Sequence, residues 1–217
     1  MRIAADNTSL PLDKTFMELL GKPIISYSLD IFESCPVVDQ IVLVLSQRNL
    51  EQGRKLVDSG NWSKVSGVCV GGDTRTESVL SGINSLSRCD FVMIHDGARP
   101  CVTVDVIENG LFAAESTGAA IPVIPIRDTV KNIEQNRVRN TVPRDTLVLA
   151  QTPQIFRFEI IKKAIMLRSS STTDDSKLVE DIGCEVVSFC GDENNIKITT
   201  PFDIDLAELI IRNRLGL

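Results

Sequence analysis

Two short stretches hold the residue types that phosphate chemistry requires. "GGDTRTES", Gly71 to Ser78, packs two glycines, a carboxylate, an arginine and several hydroxyls into one turn, and "HDGARP", His95 to Pro100, brings an acid, a glycine and another arginine. Glycines can take dihedrals closed to other residues and let a flat or anionic ligand approach the backbone. Asp73 and Ser78 can then supply directed hydrogen bonds. Asp96 can orient a hydroxyl, and Arg99 offers a planar fork that suits phosphate or a neighbouring carboxylate. Each stretch also has a plainer explanation: Asp73 as a helix N-cap, and Asp96 with Arg99 as a structural pair before a proline stop.

Three further segments contribute. Thr129 lies in "RDTVK", while Arg144 and Thr152 lie in "TVPRDTLVLAQTP", where a solvated surface is the alternative for each residue. Lys197, in "NNIKITTP", stands in a strand-like apolar context just before a helix. A lysine there is costly unless its ammonium meets an anion or reaches water. No serine or cysteine nucleophile motif with a histidine base accompanies these groups.

The elements that must position them follow from apolar periodicity. Runs at 40–46, 66–70, 90–95 and 119–125 read as buried strands, and amphipathic segments at 23–34, 47–58, 75–86 and 103–116 read as helices. Strands apolar on both faces and alternating with helices predict an α/β fold with a mostly parallel sheet flanked by helices. "GGDTRTES" and "HDGARP" then fall at strand carboxyl ends, the rim where open α/β sheets bind ligands. Residues 126–148 read as a polar hairpin inserted as a protruding β-arm. Helices at 157–168 and 201–214 follow, the second capped by Thr200 with Pro201 at its first position, and "EVVSFC" and "NIKIT" between them look strand-like.

At 217 residues the chain is long enough for one sizeable core, so a single domain over 1–217 is expected. Composition is ordinary for a globular protein, with 43% hydrophobic and 24% charged residues. A net charge of -6 argues against sequence-independent binding to nucleic acid or an anionic membrane. No apolar run approaches a membrane span, and a cytoplasmic location is expected. The six cysteines include no C-x-x-C pair, and only one histidine, His95, is there to assist metal binding, so they read as reduced and mostly buried thiols. The first strand lacks a G-x-G-x-x-G turn, which counts against a dinucleotide-binding oxidoreductase.

"GGDTRTESV", "HDGARP", "RDTVK", "TVPR", "QTPQIF", "TDDSKLVE" and "NNIKITTPFDIDLAE" occur together in an order and spacing that resembles the 2-C-methyl-D-erythritol 4-phosphate cytidylyltransferase family, from about Lys14 onward. The resemblance implies a nucleotidyltransferase-type, Rossmann-like sheet and a β-arm exchanged between subunits of a homodimer. It implies CTP and a polyol phosphate as substrates, with Mg2+ bound mainly through the triphosphate and no protein metal ligand identified. Gly72, Asp73 and Ser78, with Ala4 and Ala5, match nucleotide-binding positions; Asp96, Arg99, Thr129, Arg144 and Thr152 match positions around the acceptor; Lys14 and Lys197 match the catalytic lysines. Arg75 matches a recurrent arginine with a supporting role. The expected reaction transfers CMP to 2-C-methyl-D-erythritol 4-phosphate by in-line attack. The alternatives are another polyol phosphate such as ribitol 5-phosphate, or a non-catalytic nucleotide-binding homologue. The last is motivated by a departure from the family: Asp6 stands where glycine is expected, and no glycine or arginine occurs between Ala5 and Lys14.

Overall fold

The structure, a computed structural model, describes residues 14–168 and 172–216. In chain order the elements are β1 (Glu18–Leu19), β2 (Lys22–Pro23), α1 (Ile24–Ser34), β3 (Ile41–Leu45), α2 (Leu50–Ser59), β4 (Val65–Val70), α3 (Arg75–Ser85), β5 (Phe91–Ile94), α4 (Val104–Thr117) and β6 (Ala119–Pro125). There follow β7 (Val130–Glu134), β8 (Arg137–Val142), β9 (Val148–Ala150), β10 (Gln154–Arg157), α5 (Phe158–Leu167), α6 (Asp175–Asp181), β11 (Val187–Cys190) and α7 (Pro201–Leu215).

Helix–strand alternation over 23–125 matches the sequence reading closely, because β3, β5 and β6 are apolar runs and the segments between the strands have helical spacing. β3 and β4 pair in parallel, as do β6 and β11. The order β11-β6-β10-β5 inserts β10 antiparallel between β5 and β6, and β9 adds antiparallel to β6. β5 and β6 therefore point the same way although a reversed strand separates them. Sequence reading found neither β9 nor β10: "QIFR" is too short to show a period, and its neighbours are turn residues.

Two other expectations change, and one helix is added. "NIKIT" is not a strand; it runs as a loop tied down at Ile198, whose N–H donates to the Ala98 carbonyl at 2.8 Å. "DSKLVED" is a short helix, α6, too brief for an amphipathic pattern to declare itself. All six cysteines are free, but only Cys35 and Cys101 are buried, and Cys190 is exposed.

The largest core cluster joins α3, β5, β10, α5 and α6 through Ile83, Val92, Phe156, Ile161, Ile165, Leu178 and Val179. A second cluster packs α7 (Ala207, Ile211) against Leu19, Ile24, Tyr27, Cys101 and Ile198, which anchors the loop bearing Lys197. The arm is a two-stranded hairpin closed by Gln135 and Asn136, both with positive φ (49° and 63°), the geometry of a two-residue type I′ turn that matches strand twist. Its apolar side chains Ile133 and Val138 are exposed.

Candidate active site

The loops after β4 and β5 converge on Asp96. Arg75, the first residue of α3, donates from Nη1 to Asp96 Oδ1 at 2.5 Å, and Lys197 Nζ reaches Asp96 Oδ2 at 2.8 Å. The other edge of the Arg75 guanidinium grips Asp175 Oδ2 from Nε (3.0 Å) and Nη2 (2.7 Å). One planar fork thus bridges two carboxylates, a geometry lysine cannot supply. Arg99 lies farther off, with Nε 3.7 Å from Asp96 Oδ2, and donates from Nη1 to the Asn195 carbonyl at 2.8 Å. Burial alone would raise the Asp96 carboxyl, but Arg75 and Lys197 hold it well below the carboxylate range. Lys14 stands near enough to feel both partners: burial and the Lys197 charge lower its pKa, while Asp96 and Asp203 oppose the shift. Burial raises the Asp175 carboxyl, which Arg75 counters in part. The ensemble is an anion site in waiting, with four cations around one buried acid and one nearly buried acid.

Local sequence explains how the groups are held. Thr74, not Asp73, caps α3: its hydroxyl accepts from Glu77 N–H at 3.2 Å while the Glu77 carboxylate accepts from Thr74 N–H at 2.9 Å. This corrects the N-cap alternative for Asp73 and leaves Asp73 exposed at the rim. Gly71 and Gly72 do not use positive φ, contrary to expectation; close approach is what requires them. A Cβ on Gly71 would meet Ser78 Oγ at 2.6 Å, and one on Gly72 would meet Glu77 Cβ at 2.3 Å. Ser78 donates within its own turn to the Thr74 carbonyl at 3.0 Å. Asp175 is placed by β10, where Gln154 donates to Asp174 Oδ1 at 2.6 Å and accepts from Ser176 N–H at 3.0 Å.

Arg75, Ser78, His95, Asp96 and Thr15 are among the residues that line a cleft of about 1490 Å3 between β3 and β5. The structure therefore brings together Lys14, Asp96, Arg99, Thr152 and Lys197, with Gly72, Asp73 and Ser78 on the adjoining turn. It does not bring Thr129 or Arg144 to them. Thr129 is exposed at the root of the arm, and Arg144 donates to the Arg127 carbonyl and lines a separate cleft of about 480 Å3 with Pro125, Arg127 and Val148. Ala4 and Ala5 lie outside the described residues. Sequence reasoning passed over Asp175, whose carboxylate is fully buried; "TDDS" was visible, but its pairing with Arg75 spans 100 residues. Among the described residues no group of three His, Cys, Asp or Glu side chains could hold a metal ion.

Comparison with known proteins places the whole chain. The family model for 2-C-methyl-D-erythritol 4-phosphate cytidylyltransferase matches residues 6–213. The enzyme of that name from Dehalococcoides mccartyi is 44% identical over 201 residues, covering 92% of this chain and 88% of its own. That from Clostridium perfringens is 40% identical over 206 residues, covering 93% and 91%. Among solved structures, the Thermus thermophilus enzyme superposes with a TM-score of 0.77 at 29% identity, covering 92% of this chain and 94% of that one. A 4-diphosphocytidyl-2C-methyl-D-erythritol synthase superposes with a TM-score of 0.81 at 28% identity, covering 92% and 93%. Such agreement in sequence over nearly the whole chain, and in fold, leaves one assignment: this chain belongs to the 2-C-methyl-D-erythritol 4-phosphate cytidylyltransferase family.

Proposed function

We propose that this protein transfers CMP from CTP to 2-C-methyl-D-erythritol 4-phosphate, yielding 4-diphosphocytidyl-2-C-methyl-D-erythritol and pyrophosphate. The observation that carries the reading is the convergence of Arg75, Arg99, Lys197 and Lys14 around Asp96, which lines the cleft. In the reaction a phosphate oxygen of the acceptor forms a bond to the α-phosphorus of CTP as the bond to the β-phosphate oxygen breaks, and pyrophosphate leaves. The acceptor oxygen is already ionised at neutral pH, so no general base is needed. What the protein must supply is alignment and positive charge. Lys197, whose side chain is 43% exposed, can turn from Asp96 toward the reacting phosphates, and Lys14 can meet the triphosphate. Asp96 holds the cations in place and can accept from an acceptor hydroxyl. Gly72 and Asp73 at the exposed rim, with Ser78, are placed to receive cytidine.

Mg2+ enters in this reading with the triphosphate and offsets its charge, as part of the substrate. Two subunits pair through their arms, which accounts for apolar Ile133, Val138, Val148 and Leu149 standing exposed on a thin hairpin and its root. Arg144 and Thr129 then meet the acceptor phosphate in the partner's site. A cytoplasmic setting fits the acidic chain, among whose described residues no helix is long and apolar enough to cross a membrane.

The test offers CTP and Mg2+ with 2-C-methyl-D-erythritol 4-phosphate or ribitol 5-phosphate and measures pyrophosphate. Release with the first and at most weak release with the second is expected. Preference for ribitol 5-phosphate, or CTP binding without release for either, would refute the assignment.

A further inference from the structure

The mechanism leaves His95 unused, although it is the only histidine in the chain and directly precedes Asp96. Its partly buried ring is tilted against Phe32, with centroids 5.2 Å apart, and both nitrogens meet polar atoms. Nε2 lies 3.2 Å from the Arg99 carbonyl oxygen, and Nδ1 lies 3.2 Å from Thr152 Oγ1. A carbonyl can only accept, so Nε2 must carry the proton. In the neutral ring Nδ1 then offers a lone pair, to which the Thr152 hydroxyl donates. The Thr152 oxygen in turn accepts from Asp96 N–H at 3.0 Å. Polarity thus runs one way from Asp96 through Thr152 and His95 to Arg99, and the turn is closed by Arg99 N–H donating to the Asp96 carbonyl at 2.9 Å. Asn195, whose Nδ2 donates to the Thr152 carbonyl at 2.8 Å, fixes the far side.

We propose that His95, held as the neutral Nε2–H tautomer, is a positioning residue for cytidylyl transfer: it braces the Asp96–Arg99 turn against Thr152, so that Asp96 meets Arg75 and Lys197. The proposal rests on the function proposed above. Thr152 becomes a relay in this brace, and its buried hydroxyl is spent on His95 and Asp96, not on the acceptor. The 2.5 Å contact between Asp96 and the Arg75 guanidinium tolerates little drift of the turn. A displacement on the order of 1 Å in such a site can cost about 100-fold in rate.

A lone histidine makes the test clean. In 15N-labelled protein at pH 7, long-range proton–nitrogen correlation should show one imidazole with Nε2 protonated and Nδ1 bare. The opposite tautomer, or an imidazolium, overturns the proposal. Kinetics supply the second arm. His95→Phe keeps the ring beside Phe32 and removes both nitrogens, and Thr152→Val keeps the branched shape and removes the hydroxyl. Each should lower kcat about 10- to 100-fold, with the KM for CTP within about twofold of wild type. The double variant should fall no further than the weaker single, because both break one chain. Singles that turn over at the wild-type rate, or losses that multiply, count against it. Should the variants fail to fold, the tautomer in the wild-type protein still decides. Wild-type protein that never turns over would overturn the functional reading, and the positioning role with it, while the tautomer result stands by itself.

Discussion

One guanidinium, that of Arg75, joins two carboxylates contributed by segments 21 and 100 residues away, and so decides where Asp96 points. His95 acts on the same acid from the backbone side, and its environment makes a stability prediction. Burial, opposed by the Asp96 charge, lowers its pKa from 6.5 to about 4. Between those values the unfolded chain binds a proton that the folded chain refuses, so stability must fall as pH drops through that window. From pH 7 to pH 5 this one group should cost about 2 kcal/mol. No other imidazole contributes. Urea unfolding at both pH values should show that loss in wild type and its absence in His95→Phe; equal losses in the two proteins would contradict it. At this scale much of the site was legible, because Asp96, Arg99 and Lys197 each stand in an unusual local context. Asp175 and the part played by His95 were not, since their meaning lies in partners that only the fold brings near.

Elements set those partners, and the helix starts carry much of the task. α7 begins with Thr200 and Pro201, and the Asp203 carboxylate reaches back to Thr199 N–H at 2.8 Å and Thr200 N–H at 2.7 Å. This closes the loop that carries Lys197. Burial works against the charge of Asp203, but these bonds win and lower its pKa. A carboxyl lowered in the folded state stabilises above its unfolded pKa and ceases to as pH falls through the folded value. Asp203→Ala should therefore cost about 1 kcal/mol at pH 7, by urea unfolding, and progressively less in acid. No change at pH 7 would show that the cap contributes nothing. The capping signal, like the long apolar strands and the Gln135–Asn136 hairpin turn, is written in adjacent residues and could be read. β10 could not: four residues with no visible period become a central strand because Ile155 and Phe156 are fully buried between β5 and β6. The loop at 194–199 misled for the opposite reason, since its apolar Ile196 and Ile198 pack on α7 without a strand partner.

On the scale of the whole molecule, a chain of net charge -6 sets Arg75, Arg99, Lys197 and Lys14 around Asp96, which lines the cleft, and this favours an anionic substrate there. The arm adds a second requirement, because Arg144 lies away from that cleft within its own subunit. Arg144→Ala and Lys197→Ala proteins, each impaired, should therefore complement one another after subunit exchange. Random exchange of equal amounts makes about half of the dimers mixed, so about a quarter of all sites regain wild-type composition. A mixture shown to contain mixed dimers yet no more active than its parents would place Arg144 in its own subunit's site. The central claim, that CMP transfer occurs among the cations around Asp96, is tested most directly by single-turnover product formation in wild type and Lys197→Ala, with melting followed in parallel. Wild type should convert CTP and 2-C-methyl-D-erythritol 4-phosphate to the cytidyl diphosphate ester and pyrophosphate. Lys197→Ala should do so about 100- to 1,000-fold more slowly, with its melting temperature within a few degrees of wild type. Equal rates in the two proteins would contradict the account.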